Sequence, residues 1–263
     1  MKIFLLGGTK DSINIIEHVK KNYDACILTT TTTEYGARLA REGGSDETIA
    51  RPLLKNEIIE IIEKENFDLL IDATHPFAEH ITQTSVSIAN ELKMPYIRFE
   101  RPTTNLEKID TSHIHYADSF DEAGKLIGKE FVDGNVLHFA GANTMEDILK
   151  YVSVDRFFPR ILKVESSIAK CEKLGVDPNH IIPMTGAASL EENIALIEKY
   201  NAKVMITKES GEIGGVVEKI EAANEKDVAV IMIKRPEIDE LNENDVVSNL
   251  DELDIKLKTF FKK

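Results

Sequence analysis

The chain has 263 residues, enough for one large domain or two smaller ones around a sizeable core. A formal net charge of −14 argues against a general nucleic-acid binder, whose affinity rests on Lys and Arg neutralising phosphates, yet leaves room for a local basic pocket. The two cysteines, Cys26 and Cys171, lie far apart without CxxC spacing, which argues against zinc and for two core thiols; no apolar run has the length of a secretion signal or a membrane span, so the expectation is a cytoplasmic protein without nucleic-acid or membrane partners.

Short apolar runs alternate with longer amphipathic ones. KIFLLGG reads as a first strand, Asp11 to Lys21 as a helix, ACILTT as a strand and Tyr35 to Glu42 as a helix. Leu53 to Glu65 is helical, FDLLIDAT a strand, Phe77 to Leu92 a helix and MPYIRF a strand. ERPTTNLEKIDTSH is polar and reads as a linker. The rhythm then resumes: a helix from Ser119 to Lys129, the strand NVLHFAG, a helix from Thr144 to Tyr151 and the strand FFPRILKV. HIIPM is a short strand, Ser189 to Tyr200 a helix, AKVMITK a strand, Gly215 to Asn224 a helix and VAVIMIKRP a strand. This order predicts an α/β protein with mostly parallel sheets, in two domains spanning residues 1–98 and 99–236. Residues 237–263 read as an acidic tail in which IKLKTFF docks as a short helix.

LLGGTKDS places Gly7, Gly8 and Thr9 in the first strand-to-helix turn, where a pyrophosphate sits in doubly wound folds. The full GxGxxG fingerprint is absent. Thr9 offers a hydroxyl donor, and Asp11 or Ser12 caps the helix. No acid follows the second strand; Thr30, Thr31, Thr32 and Thr33 face a ribose or a 2′-phosphate, or simply suit a strand end. DATHPFAEH raises three readings: a metal site, acid–base chemistry by His75, or a turn and cap. The spacing of His75 and His80 disfavours a metal. Asp72 and Thr74 leave a buried strand at its ligand-facing end, and Pro76 suits a first helical position with Thr74 or His75 as the cap. In TKESGEIGG, Lys208, Ser210, Gly211, Gly214 and Gly215 build a turn whose N–H groups suit an anion. Lys219 reads as a surface charge or ion-pair partner. Arg98, Arg101, Arg160 and Arg235 sit near strand ends and suggest a basic lining for a ligand with several carboxylates.

Together GGT, TTEYG, DATHPFA, PYIRFERP, TKESGEIGGVVEKIEAA and IKRP resemble the precorrin-6A reductase family of corrin-ring biosynthesis, from Met1 to about Pro236. The resemblance implies two Rossmann-like domains with a cleft between them, and reduction of the C18–C19 double bond of precorrin-6A or cobalt-precorrin-6A by NADPH or NADH. It implies a dinucleotide on Gly7, Gly8, Thr9, Thr30, Thr31, Thr32, Asp72 and Thr74, met by Ser210, Gly211, Gly214 and Gly215. It gives catalytic places to His75 and Lys208, and sets Arg98, Arg101, Arg160 and Gly186 against an anionic tetrapyrrole, with neighbouring pathway enzymes as candidate partners. The family's Gly-Pro-Phe is here Gly186 followed by Ala187 and Ala188. An S-adenosylmethionine-dependent methyltransferase and a non-catalytic tetrapyrrole- or nucleotide-binding protein are the rival readings.

Overall fold

The computed structural model describes residues 1–260. It divides into two compact units: Met1–Pro102 with the chain from Pro236 onward, and Thr103–Arg235.

In the first unit β1 (Lys2–Leu6), β2 (Cys26–Thr31), β3 (Glu47–Ala50), β4 (Leu69–Asp72) and β5 (Tyr96–Phe99) are joined by α1 (Lys10–Asn22), α2 (Glu34–Glu42), α3 (Lys55–Glu65) and α4 (Glu79–Leu92). β1 is a continuous apolar run because both of its faces are covered. Ile3 and Leu5 pack with Ile15, Ile16 and Val19 of α1 on one face. Phe4 and Leu6 pack with Ile58 and Ile62 of α3 and Val86 of α4 on the other. The period of two along the strand separates the sets.

In the second unit the order is β6 (Ile114–Ala117), α5 (Phe120–Glu130), β7 (Asn135–His138), α6 (Met145–Leu149), β8 (Phe157–Ile161), α7 (Glu165–Lys173), β9 (Ile182–Pro183), α8 (Leu190–Lys199), β10 (Ala202–Lys208), α9 (Val216–Glu225) and β11 (Ala229–Ile233). Leu137, Phe139, Phe158, Met205 and Val230 pack with Ile197 of α8 and Ala222 and Ala223 of α9.

Residues from 237 on do not stand apart as a tail. β12 (Val246–Val247) pairs with β5, Val246 beside Arg98 and Val247 beside Phe99. α10 (Leu250–Phe260) buries Leu253 and Leu257 in the first unit's core. Its apolar positions 253 and 257 are four apart, enough for a buried stripe in an otherwise charged helix. Phe261, the end of IKLKTFF, lies outside the described residues.

All pairs in both sheets are parallel. The sheet orders are β12-β5-β4-β1-β2-β3 and β6-β11-β10-β7-β8-β9. Counted from β1 in the first unit and from β7 in the second, both follow the doubly wound order 3-2-1-4-5-6. The sixth place is filled out of chain order in both: by β12, which follows the second unit along the chain, and by β6, which precedes β7. Order reverses between β1 and β4, and between β7 and β10, so the ligand-facing crevices open at the carboxyl ends of those strands.

Two expectations about single elements need correction. α4 begins at Glu79, not Phe77, because Pro76 and Phe77 form a separate turn. Cys26 is exposed at the start of β2; Cys171 alone is a buried thiol. Among the described residues no helix is long and apolar enough to cross a membrane.

Candidate functional site

The first crevice starts at the turn after β1. Gly7 donates its N–H to the Thr30 carbonyl at 2.9 Å. A side chain on Gly7 would lie 2.9 Å from Thr29 Cγ2, so glycine here lets two strands close up. Gly8 has φ +100°, and a Cβ on it would meet nothing within 4 Å. Its backbone therefore borders open space, in a conformation that glycine adopts readily. Thr9, rather than Asp11, caps α1: its Oγ1 accepts the Ser12 N–H at 3.2 Å. The same hydroxyl donates to the Ala73 carbonyl at 2.7 Å, so its proton ties the β1 turn to the β4 turn. Ser12 Oγ receives the N–H groups of Gly8 and Thr9 at 3.2 and 3.3 Å. Asp11 is buried and faces Arg101 at 3.4 Å.

A buried charged network underlies the β4 turn. Asp72 is fully buried and Arg98 is 1% exposed, with Nη1 2.9 Å from Oδ1. Register places them side by side on β4 and β5. Asp72 Oδ1 also accepts the Thr74 N–H at 2.9 Å and the Thr74 hydroxyl at 2.6 Å. Its Oδ2 accepts from Ser85 and Tyr96 hydroxyls, both at 3.3 Å. Arg98 donates further to the Thr74 carbonyl at 3.2 Å and to Glu100 at 3.1 Å. Burial alone would lower the Arg98 pKa, but the Asp72 and Glu100 charges hold it above its ordinary value. Burial first, then the Asp72 charge, push the Tyr96 phenol up. Asp72 and Arg98, expected to touch ligand, instead fix Thr74 and His75 from beneath. Neither Thr74 nor His75 caps α4, whose cap position is Ala78. His75 Nδ1 accepts the Phe77 N–H at 3.2 Å, which leaves Nε2 as the protonated nitrogen of the neutral ring.

These turns line a pocket of about 330 Å³. Gly7, Gly8 and Thr9 form one side, Thr30, Thr31 and Thr32 another, and Thr74 and His75 a third. Leu53, Ile58 and Ile81 add apolar surface. Arg51 also lines the pocket, with its guanidinium 2.7 Å from Glu57. The volume lies at the small end of ligand pockets, roughly 300–1,000 Å³. Among the described residues no group of three His, Cys, Asp or Glu is placed to hold a metal.

The second crevice has a different chemistry. Lys208 ends β10, with its ammonium 5.4 Å from the Phe120 ring centre, and burial pulls its pKa down to about 8. Beside it His138 is fully buried and held neutral, its pKa lowered to about 3 chiefly by burial. Glu209 pins the following turn through Thr104 (2.8 Å to its N–H), the Gly211 N–H (3.2 Å) and Arg235 Nε (2.5 Å). Ser210 Oγ fills the space a Gly214 side chain would need. Gly211 and Gly215 have φ +75° and +65°. Arg160 leaves β8 and donates to the Gly186 carbonyl, with its guanidinium 5.4 Å from the Phe139 ring centre.

The structure thus brings Gly7, Gly8, Thr9, Thr30, Thr31, Thr32, Thr74 and His75 together in the first unit. Arg51 and Lys219 are additions. Lys219 is 5% exposed, not a surface charge. A signal for this was present: it lies among Val216, Ile220, Ala222 and Ala223, all buried. Arg51 had a weaker signal, since the short strand before it was not recognised.

Comparison with known proteins bears on this geometry. Residues 2–256 match the family model described as precorrin-6x reductase CbiJ/CobK. The chain is 40% identical over 240 residues to the cobalt-precorrin-6A reductase of Methanocaldococcus jannaschii, covering 91% of this chain and 92% of that protein. It is 38% identical over 254 residues to the protein of the same name from Methanothermobacter thermautotrophicus, covering 96% and 82%. A solved structure titled CobK precorrin-6A reductase has the same fold, with TM-score 0.73, 16% identity, and coverage of 98% of this chain and 96% of that one.

Proposed function

Because the chain belongs to the precorrin-6x reductase CbiJ/CobK family, we propose that it reduces the C18–C19 double bond of precorrin-6A or cobalt-precorrin-6A with NADH or NADPH. The observation that carries the cofactor half is the pocket at the β1–β4 reversal, with the open Gly8 backbone and the N-terminus of α1 at its edge. The residues present fit a dinucleotide. Gly8 leaves the space where a Cβ would intrude, and Gly7 lets the turn sit close to β2. Thr30, Thr31 and Thr32 offer hydroxyls where an adenosine ribose lies in this fold. A bound nicotinamide supplies the hydride.

The chain's own part is orientation, exclusion of water and one proton. Asp72 and Arg98 hold the Thr74–His75 turn, and Thr9 locks it to the phosphate-side turn through Ala73. Arg101 acts at one remove, by neutralising buried Asp11 behind the start of α1. His75, its Nδ1 accepting the Phe77 N–H, presents Nε2 as a hydrogen-bond donor at the pocket wall. Lys208 is the proton donor in this reading. With a pKa of about 8 it is mostly charged at neutral pH yet gives up its proton far more readily than an ordinary lysine. Arg160 and the Gly186 turn receive substrate carboxylates.

The test is an anaerobic turnover assay with NADH and NADPH against cobalt-loaded and metal-free precorrin-6A. Loss of reduced-nicotinamide absorbance that requires the tetrapyrrole is the expected result. Tight binding of both ligands without any such loss would leave a carrier, not a reductase. His75→Ala in the same assay separates a chemical role from a positional one.

A further inference from the structure

We propose that the second unit carries an oxyanion site at the start of α9, formed by Lys219 and Arg160 with the Gly186–Ala188 and Gly211–Gly215 loops. It takes one carboxylate or phosphate group, and only the naming of the donor molecule rests on the reductase reading. Lys219 sits in the first turn of α9, and its Nζ turns back to the Gly214 carbonyl at 2.8 Å. That is the one hydrogen-bond acceptor it has among the described residues, while an ammonium has three donors. A charge buried on a single neutral partner is costly. The place makes it worse, because a helix start already carries the positive end of the backbone dipole. No side chain caps α9, whose N-cap is Gly215. Burial, followed by the nearby Arg160 charge, lowers the Lys219 pKa to about 8, so it stays mostly protonated at neutral pH.

Arg160 belongs to the same place. It donates to the Gly186 carbonyl, and the two glycine loops touch: a Cβ on Gly215 would lie 2.9 Å from Ala187 Cβ. No acidic side chain makes an ion pair with Lys219 or Arg160 among the described residues. Glu218 near Lys219 and Glu192 near Arg160 contribute charge but no hydrogen bond to either cation, and Glu218 Oε2 is buried without a partner. Two cations and an uncapped helix start are held together with no bonded counter-charge. An oxyanion ligand would supply it, accepting from ammonium, guanidinium and backbone at once.

The experiment uses the full chain with Lys219→Met, Lys219→Arg and Arg160→Gln. NADH serves as the phosphate-bearing probe and uroporphyrin, with eight carboxylates, as the tetrapyrrole probe. Lys219→Met should weaken one probe by about tenfold or more, as loss of a charge-assisted bond does. Lys219→Arg should retain most of that affinity, and Arg160→Gln should weaken the same probe. Melting temperature without ligand should not fall in Lys219→Met, since an uncompensated buried charge is removed. Selective loss of uroporphyrin assigns the site to a substrate carboxylate; selective loss of NADH assigns it to a cofactor phosphate. Unchanged affinity for both, or wild type binding neither, overturns the proposal. So does an equal loss of both with a lower melting temperature, which would make Lys219 a prop for the Gly214 turn. If the wild type fails to reduce precorrin-6A while Lys219→Met still loses a probe selectively, the reductase reading fails and the site stands.

Discussion

Replacing Asp72 by Asn removes one negative charge and almost no volume. Thr74 keeps an acceptor for its N–H and hydroxyl, now 2.9 and 2.6 Å from Oδ1, so the turn's hydrogen bonds survive. Arg98, 1% exposed, keeps a neutral oxygen at the 2.9 Å position but loses the negative charge that balanced it there. Breaking one side of a buried pair destabilises by about 3–5 kcal/mol, since the remaining charge is stranded. Arg98 keeps Glu100 at 3.1 Å, and Glu100 is itself partly open to water, so the lower end applies, ~3 kcal/mol. For chains of this size that is roughly a 6–12 °C fall in the unfolding midpoint. The chain has no tryptophan, so the transition is followed by backbone circular dichroism. Tyr96→Phe deletes one 3.3 Å bond and should cost about 1 kcal/mol. A midpoint for Asp72→Asn within about 1 °C of wild type would refute the claim that this pair is a stranded-charge hazard. Below the midpoint, NADH affinity should change little with Asp72→Asn, because the turn keeps its hydrogen bonds.

Lys208→Met should lower turnover by about 10²–10⁴-fold, with NADH affinity retained. The wild-type rate should fall as pH rises through about 8, because the acting form is the ammonium. Stability runs the other way: between about 8 and 10.5 the unfolded chain holds the Lys208 proton and the folded one does not, so this residue adds stability as pH rises. A rate that is flat across that window would remove Lys208 as the donor. Gly8→Val should weaken dinucleotide binding by at least about tenfold, since a branched side chain at φ +100° is strained and projects into open pocket space; unchanged titration would clear that turn of any phosphate. Thr9→Ala removes both the α1 cap and the link to Ala73, and should cost about 1–2 kcal/mol in chemical denaturation, with Thr9→Ser recovering most of it.

Central strands were readable because burial on both faces writes them as apolar runs, as in KIFLL and AKVMITK. ETIA of β3, IHYA of β6 and the two valines of β12 are edge or next-to-edge strands, short and mixed in polarity, and left no such signature. α7 went unseen because Cys171 is its one fully buried side chain. The first crevice was legible from position alone: glycines after strand one predict a ligand wherever the strand order reverses. What sequence did not convey was which charges are buried. Arg98 stands inside YIRF, a strand buried at every position, and a charge there demands a partner on the next strand. Asp72 is that partner, but pairing it required the register. Lys219 was misread for a related reason, since a lysine in an amphipathic helix is usually solvated and only the fold shows where α9 turns inward.

The chain positions of the sixth strands also fix an order of assembly during synthesis. β6 is made before β7, so the second unit has its whole sheet once Ile233 has left the ribosome. The first unit, although begun earlier, waits for Val246 and Val247 to cover β5 and for Leu253 and Leu257 to close the core over Ile15 and Ile16. Until then β5 is a bare parallel edge, open to misdirected pairing. The unit that holds β1 is therefore finished after the second one, and the pocket beside β1 rests on a sheet that β12 completes.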